Sequence, residues 1–410
     1  MLVRFSLYGF LKNQRYFEPF LVLALLARDL SFFEIGTLVT LREAAVHLLE
    51  IPSGAVADRF GRSRAMMLSF AAYIGSFLLF ARASAYGGIA LAMLLFAVGE
   101  AFRTGTHKAI IFAWLRQQGR ENERTRVYGF TRSWSKLGSA TSALLASGFV
   151  LATASYVDVF YFAILPYTAC LVSFATYPAA LDRADRARLP AGGIWRSAAT
   201  AVTRAVREPR VRRLMFEAMA FEGVFKTVKD YLQPVLLLAA TAWAARGGLG
   251  EGLAVEQRAA IVTGPVYFVL FLAAALASRR AQALVQRCGS EAAASRWLWR
   301  ADAVAFAVVT GAAALGSAVG AILGFMLLHV LQNLWRPILI GRIDAASDSS
   351  LGATTLSIES QAQRVTTMVL APVLGALVDG LGDGMTRFWP VGAVGFVAAV
   401  AACWATRSRS

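Results

Sequence analysis

Charge is scarce in this sequence. Only 16% of its 410 residues are Asp, Glu, Lys or Arg, whereas 57% are hydrophobic and the mean hydropathy is +0.56. A soluble domain of this size has no core large enough to bury so much apolar surface. Cysteine is scarcer still. Cys170, Cys288 and Cys403 stand far apart, with neither metal nor redox spacing, and read as small apolar fillers. No Gly-x-x-x-x-Gly-Lys-Ser/Thr loop is present to cradle phosphates, so the chain is not expected to hydrolyse ATP. No His/Cys cluster has metal-ligand spacing, and no catalytic constellation stands out, so neither an enzyme nor a cofactor is expected. Nor does a small-residue cleavage site follow a clean apolar core near the start, where Arg4, Lys12, Arg15 and Glu18 intervene. The first apolar segment is therefore expected to stay in place as a signal-anchor.

What the sequence has in abundance is long apolar runs. Ile35–Ala57, Met66–Ala81, Ile89–Leu115, Val159–Tyr177, Ile261–Ala277, Ala303–Ala321 and Val391–Ala405 are each about as long as a helix needs to cross a hydrocarbon layer of roughly 30 Å. In lipid every backbone polar group needs an internal partner, and these runs lack the alternation of a barrel strand, so they are expected to be helices. The formal net charge of +16 would suit nucleic acid, but its distribution argues against that partner. With the helices counted in order from the N-terminus, Arg59, Arg62 and Arg64 follow the second helix, and Arg116, Arg120, Arg124 and Arg126 follow the fourth. Nine arginines fall from Arg183 to Arg213, and Arg279, Arg280, Arg287 and Arg296 follow the eighth helix. The opposite side offers only Arg28, Arg82, Arg246, Arg258 and Arg387. This asymmetry predicts a multi-pass protein of the inner membrane with both termini in the cytoplasm, where the arginines also meet anionic headgroups.

The polar stretch Asp182–Arg213, with Pro190, Gly192, Gly193 and Pro209, divides the chain near its middle. Within it Ala191–Arg207 reads as an amphipathic surface helix with Trp195 at headgroup level. The expected organisation is an N-terminal bundle over 1–181, a cytoplasmic linker over 182–213 and a C-terminal bundle over 214–410. The halves share features in the same order. Tyr16-Phe17-Glu18-Pro19 matches Tyr231-Leu232-Gln233-Pro234, the His107–Ile111 region matches Arg336–Ile340, and Arg132, read as opening the fifth helix, matches Arg364 in the eleventh. A parallel repeat explains this better than chance, with a binding site between the halves near the midplane.

Between the second and third helices stands Gly54-Ala-Val-Ala-Asp58-Arg59-Phe-Gly61-Arg62-Ser-Arg64. Gly54 leaves room for another helix to approach, Asp58 at a helix end is placed to accept backbone N–H bonds or pair with Arg, and Gly61 permits a tight turn. A plain basic inside loop would explain the arginines but not the Asp and Gly spacing. This segment resembles the loop signature of the major facilitator superfamily, and Gln286-Arg287-Cys288-Gly289 resembles a worn second copy. The resemblance implies an all-α membrane protein of about twelve transmembrane helices in two six-helix bundles related by a pseudo-two-fold repeat. It also implies a gating role for Gly54, Asp58, Arg59, Gly61, Arg62 and Arg64, and a path lined by the first, fourth, seventh and tenth helices. The Gly-Pro-rich signature of many drug–proton antiporters is missing from the fifth helix, where Trp134–Gly148 contains no proline.

Charges inside spanning segments are costly and usually meet a partner or a cavity. Glu43, His47 and Glu50, spaced 4 and 3 apart, form one stripe. Glu18, Gln233, Arg103, His107, Lys108, His329, Gln332 and Arg336 fall on the helices that the resemblance makes path-lining. Arg and His suit a carboxylate or phosphate, and Glu18, Glu43 and Glu50 are candidate proton carriers. The plainer reading stays open for many of them. Lys12, Arg15, Lys226, Lys229 and Asp230 snorkel or pair locally, Glu50 pairs with an arginine, and the histidines are hydrogen-bonded core residues. Pro372 and Gly375 in the eleventh helix are expected to kink it and pack it against the second. The expectation is a monomeric secondary transporter that moves a small polar or charged solute by alternating access, coupled to an ion, the proton above all. Efflux of amphipathic cations and a transport-inactive sensor are the alternatives.

Overall fold

The computed structural model describes residues 1–104, 106–120, 123–178, 207–248, 250–346 and 352–407; the side chains of residues 51, 58, 124, 125, 210, 352–356 and 405–407 lie outside the description. The linker helix expected over Ala191–Arg207 and its Trp195 fall almost wholly outside it.

The described chain is helical throughout: α1 Leu2–Leu11, α2 Leu21–Leu26, α3 Phe32–Phe60, α4 Arg62–Arg82, α5 Tyr86–Arg103, α6 Thr106–Gln117, α7 Arg124–Thr153, α8 Asp158–Ala175, α9 Pro209–Ala218, α10 Val224–Val228, α11 Leu232–Ala244, α12 Val255–Cys288, α13 Glu291–Ala314, α14 Ala318–Ala346, α15 Gly352–Asp379 and α16 Trp389–Arg407. Among the described residues six stretches are long and apolar enough by composition to cross a membrane: Arg62–Arg82, Tyr86–Gln117, Asp158–Ala175, Val255–Cys288, Ala318–Ala346 and Met385–Trp404. The other crossings are α1 with α2, α3, α7, α9 through α11, α13 and α15, which makes twelve among the described residues. They are less apolar because they are interrupted or carry internal charges such as Glu43, Asp302 and Glu359. Two expectations shift. The run Ala303–Ala321 is not one helix, because Leu315–Ser317 turns between α13 and α14 with Gly316 at φ +72°. Arg132 does not open the fifth helix, which already begins at Arg124.

The chain folds into two compact units. The first holds Met1–Leu30, Leu41–Ala187 and Trp243–Phe271; the second holds Ser31–Thr40, Arg188–Ala242 and Leu272–Ser410. In the first unit, α4 crosses α5 closely because serine hydroxyls face carbonyls. Ser69 donates to the Gly99 carbonyl at 2.6 Å and Ser76 to Ala92 at 2.8 Å. Lipid tails offer no hydrophobic drive between helices, so small residues and such bonds do the joining. Gly138 of α7 lies against the Phe10 backbone, and Gly264 of α12 against Ser147. Phe70, Tyr73, Phe77 and Tyr167 fill the space between α4 and α8.

In the second unit, Phe221, Trp299 and Trp335 form a buried aromatic core, with Phe221 and Trp335 stacked at 4.4 Å. Gly392 and Gly395 bring α16 onto Thr310 and Phe306 of α13. The start of α3 lies here against α15. Gly36 meets Ala371 and Pro372, and Gly375 meets the Phe32 backbone, as expected of Pro372 and Gly375 from the sequence. Thr40 donates to the Met368 carbonyl at 2.7 Å. Asp379, ending α15, accepts from the backbone N–H groups of Phe32 and Phe33 at 3.1 and 2.8 Å, and so caps the positive end of α3. Arg387 reaches the same carboxylate at 3.4 Å and lies over the Phe32 ring.

Candidate functional site

Three of the crossings are broken, and charged residues sit at the breaks. The first loses helix between Lys12 and Phe20. Pro19 explains part of this, since it has no N–H and its ring clashes with the carbonyl four residues back, that of Arg15. The freed backbone is bonded again from side chains. Asn13 Nδ2 donates to the Gly9 carbonyl at 2.7 Å, and the Tyr167 hydroxyl to the Lys12 carbonyl at 3.3 Å. The fourth crossing changes helix between Arg103 and Thr106. The seventh passes through a π turn at Met219–Gly223 and a 3-10 turn at Lys229–Tyr231, just before Pro234. Non-helical backbone at membrane depth is tolerated only where protein or a water-filled cavity receives it, and π turns collect at functional positions.

In the first unit these breaks gather a cationic cluster. Arg103 Nη2 lies 2.5 Å from Glu100 Oε1, and its Nε donates to the Tyr73 hydroxyl at 3.2 Å. That hydroxyl donates to Glu100 Oε2 at 2.6 Å, closing a triangle. Arg15 is held more loosely, 3.7 Å from Glu100 Oε2, with its Nε buried and unbonded. Lys12 lies over the Tyr8 ring at 5.6 Å and forms no ion pair among the described residues. His107 stacks on Tyr8 at 3.9 Å, and its Nε2 is buried without a hydrogen-bond partner.

The second unit holds an acidic counterpart. Arg336 makes a two-pronged pair with Glu359, at 2.5 and 3.3 Å. Its Nη1 also lies 4.0 Å from Glu222 Oε1. Gln332 donates to Glu222 Oε2 at 3.0 Å, and Gln363 donates to Glu359. Two buried carboxylates thus share one guanidinium, and Glu222 Oε1 has no hydrogen bond. Glu222 stands in the π turn itself. Nearer the linker end of this unit, Glu217 is gripped by both terminal nitrogens of Arg342, at 2.5 and 3.0 Å, and by Ser295 and Arg213.

The residues singled out from sequence divide accordingly. Arg103 and His107 join the first cluster; Gln332 and Arg336 join the second. Lys108 turns to the Phe112 and Tyr128 rings at about 5.5 Å. His329 donates from Nδ1 to its own helix's Phe325 carbonyl at 2.9 Å and packs edge-on to Phe225, which is the core-histidine reading. Gln233 is fully buried and Glu18 half-buried. Glu43 is buried and pairs with the neighbouring Arg42 at 3.0 Å, while His47 and Glu50 are half-buried farther along α3. Sequence reasoning left Tyr8, Tyr73, Glu100, Glu222 and Glu359 out of the candidate set. The Glu100–Arg103 spacing of three was a readable signal for a helical pair.

In the loop motif, Gly61 takes φ +107° and is the single residue between α3 and α4. Arg62 Nη1 reaches the Ala109 carbonyl at 3.5 Å, Arg59 lies over Phe60, and Arg64 is exposed. The Asp58 side chain lies outside the described set. A side chain at Gly54 would meet nothing within 4 Å among the described residues. The close helix approach expected there is made instead at Gly36, five turns earlier on α3, where Ala371 and Pro372 abut the helix.

No curated protein matches the chain. Among solved structures it is similar to the nucleoside transporter NupG, with a TM-score of 0.76 at 12% identity over 99% of this chain and 98% of that one. It is similar to a POT family transporter in complex with 5-aminolevulinic acid, with a TM-score of 0.70 at 13% identity over 98% and 94%. A D-xylose–proton symporter matches with a TM-score of 0.62 at 13% identity over 98% and 96%. At such identities the likeness is one of fold: all-α, twelve crossings in two six-helix bundles. The description Major Facilitator Superfamily matches residues 13–331, most of the chain, and the protein belongs to this superfamily of membrane transporters.

Proposed function

We propose that the protein is a proton-coupled secondary transporter of a small polar or charged solute, working by alternating access. The observation that carries this is the pair Glu222 and Glu359 on the single guanidinium of Arg336. One guanidinium balances one carboxylate. The surplus negative charge, on Glu222, is balanced by binding a proton, and Glu222 sits where the seventh crossing departs from α-helix. Proton binding at a break changes the charge at the point where the helix has least resistance to bending. The arginine distribution supports an inner-membrane location with both termini cytoplasmic. The loop Gly54–Arg64 serves as the gate latch. The structural neighbours carry nucleosides, 5-aminolevulinic acid or D-xylose in their names, and these compounds start the solute panel. Efflux of amphipathic cations fits poorly with the cationic first-unit cluster.

The test uses proteoliposomes holding a pH-sensitive dye. A solute from a panel of nucleosides, amino acids, sugars and organic acids should move protons with the wild-type protein. Glu222→Gln should abolish that proton movement while solute exchange across the membrane persists. Binding without flux would support the sensor alternative, and unchanged proton movement in Glu222→Gln would overturn the assignment of Glu222.

A further inference from the structure

We infer that the first-unit cluster at Lys12, Arg15 and Arg103 is the seat of an anionic group, a carboxylate or a phosphate, on the transported solute. This rests on the transporter reading above and names the class of solute.

The charge balance points to it. Arg132 lies within electrostatic reach of Lys12, and Lys136 within reach of Glu18 and Arg132. Five cations therefore gather around two carboxylates, Glu18 and Glu100. Surplus positive charge at membrane depth is costly unless an anion or water answers it. Depth follows from length. The ten residues of α1 rise about 15 Å, half of a layer roughly 30 Å thick, and Lys12 follows the last of them.

The cations play different parts. Arg103 is fixed, because Glu100 and Tyr73 occupy its fork. Arg15 is not, since its 3.7 Å approach to Glu100 is longer than a hydrogen bond. Its side chain is 26% exposed. Lys12 forms no ion pair among the described residues, Glu100 acting on it only from a distance. Arg15 Nε and His107 Nε2 are buried without hydrogen-bond partners, and Lys12, within electrostatic reach of both residues, forms no ion pair among the described residues. Lys12 and Arg103 are the cations within electrostatic reach of that imidazole. Donors without acceptors on broken helices accept an anion and reject a cation. The planar fork of Arg15 suits two oxygens of one carboxylate or phosphate, and Lys12 supplies a point charge beside it.

The experiment follows heat unfolding of the purified full-length protein in detergent by tryptophan fluorescence. It is titrated with inorganic phosphate and, separately, with succinate, against chloride at matched ionic strength. At least one anion is expected to raise Tm saturably, since a ligand of the folded state stabilises it by mass action. A phosphate response alone names a phosphate group; a succinate response alone names a carboxylate. Lys12→Gln should need at least about tenfold more anion for the same rise, and it orphans no acid. Arg15→Lys should weaken the response as well, with the net charge kept. Glu222→Gln should keep the wild-type anion response, so failure of proton coupling and failure of anion binding are separable. The inference is overturned if neither anion exceeds chloride, or if Lys12→Gln and Arg15→Lys both respond as wild type does.

Discussion

Arg336→Met removes the one cation that Glu222 and Glu359 share and keeps most of the side-chain volume. Glu359 has no exposed surface and Glu222 very little, so both carboxylates are left buried without a counter-charge. Breaking a buried pair by removing one partner costs about 3–5 kcal/mol. The Arg336 side chain is 31% exposed, which puts the expected loss at the low end, about 3 kcal/mol. With roughly 2 °C of Tm per kcal/mol for a large chain, the variant should melt about 6 °C below wild type. The informative step is the rescue. Adding Glu359→Gln leaves a neutral amide beside Gln363 and only Glu222 to be answered, so about half the loss should return. Melting is read in detergent by fluorescence-detected size exclusion, which needs no solute. If the double variant melts no higher than Arg336→Met alone, Glu359 is not what Arg336 neutralises, and the charge argument for Glu222 falls with it.

Gly375→Val tests the crossing of α3 on α15. A Cβ there overlaps the Phe32 carbonyl group, which is backbone and has nowhere to give, so a loss of about 1–3 kcal/mol in thermal stability is expected. A variant that melts like wild type would show that the start of α3 is not held by that glycine. Asp58→Asn should lower the initial rate of solute uptake at unchanged amounts of inserted protein, measured by fluorescence of a fused reporter in the same membranes. Full uptake would count against the latch.

The crossings were legible because a membrane imposes length and apolarity on any segment that spans it. The turn between α3 and α4 was legible because Gly61 has a conformational reason to be glycine, borne out by its φ of +107°. The repeated Tyr-x-x-Pro was legible as a repeat, but not as a pair of break points, since a proline alone does not tell a kink from an end. What stayed hidden was pairing. Arg336 and Glu359 are 23 residues apart on two helices, and Tyr73 meets Arg103 across 30 residues. Nothing in a hydropathy pattern says which helix faces which, so single charges were weighed where charge groups mattered. The same limit explains Gly54 and Gly36. Both are glycines on α3, and only the path of α15 decides which one is crossed.

The contact between the start of α3 and the end of α15 also sets a clock. Phe32 and the carboxylate of Asp379 that caps it are 347 residues apart. At about 5–20 residues per second, the ribosome needs roughly 17–70 s after making Phe32 before Asp379 exists. The α4–α5 hairpin, by contrast, has its serine bonds available as soon as it is made. For most of synthesis, then, the small-residue face of α3 at Gly36 waits in the bilayer with its proper neighbour not yet written. Membrane quality control has that interval in which to act. Substitutions at Gly36 or Asp379 are therefore expected to show first as lower yield of inserted protein, before any change in transport by the molecules that survive.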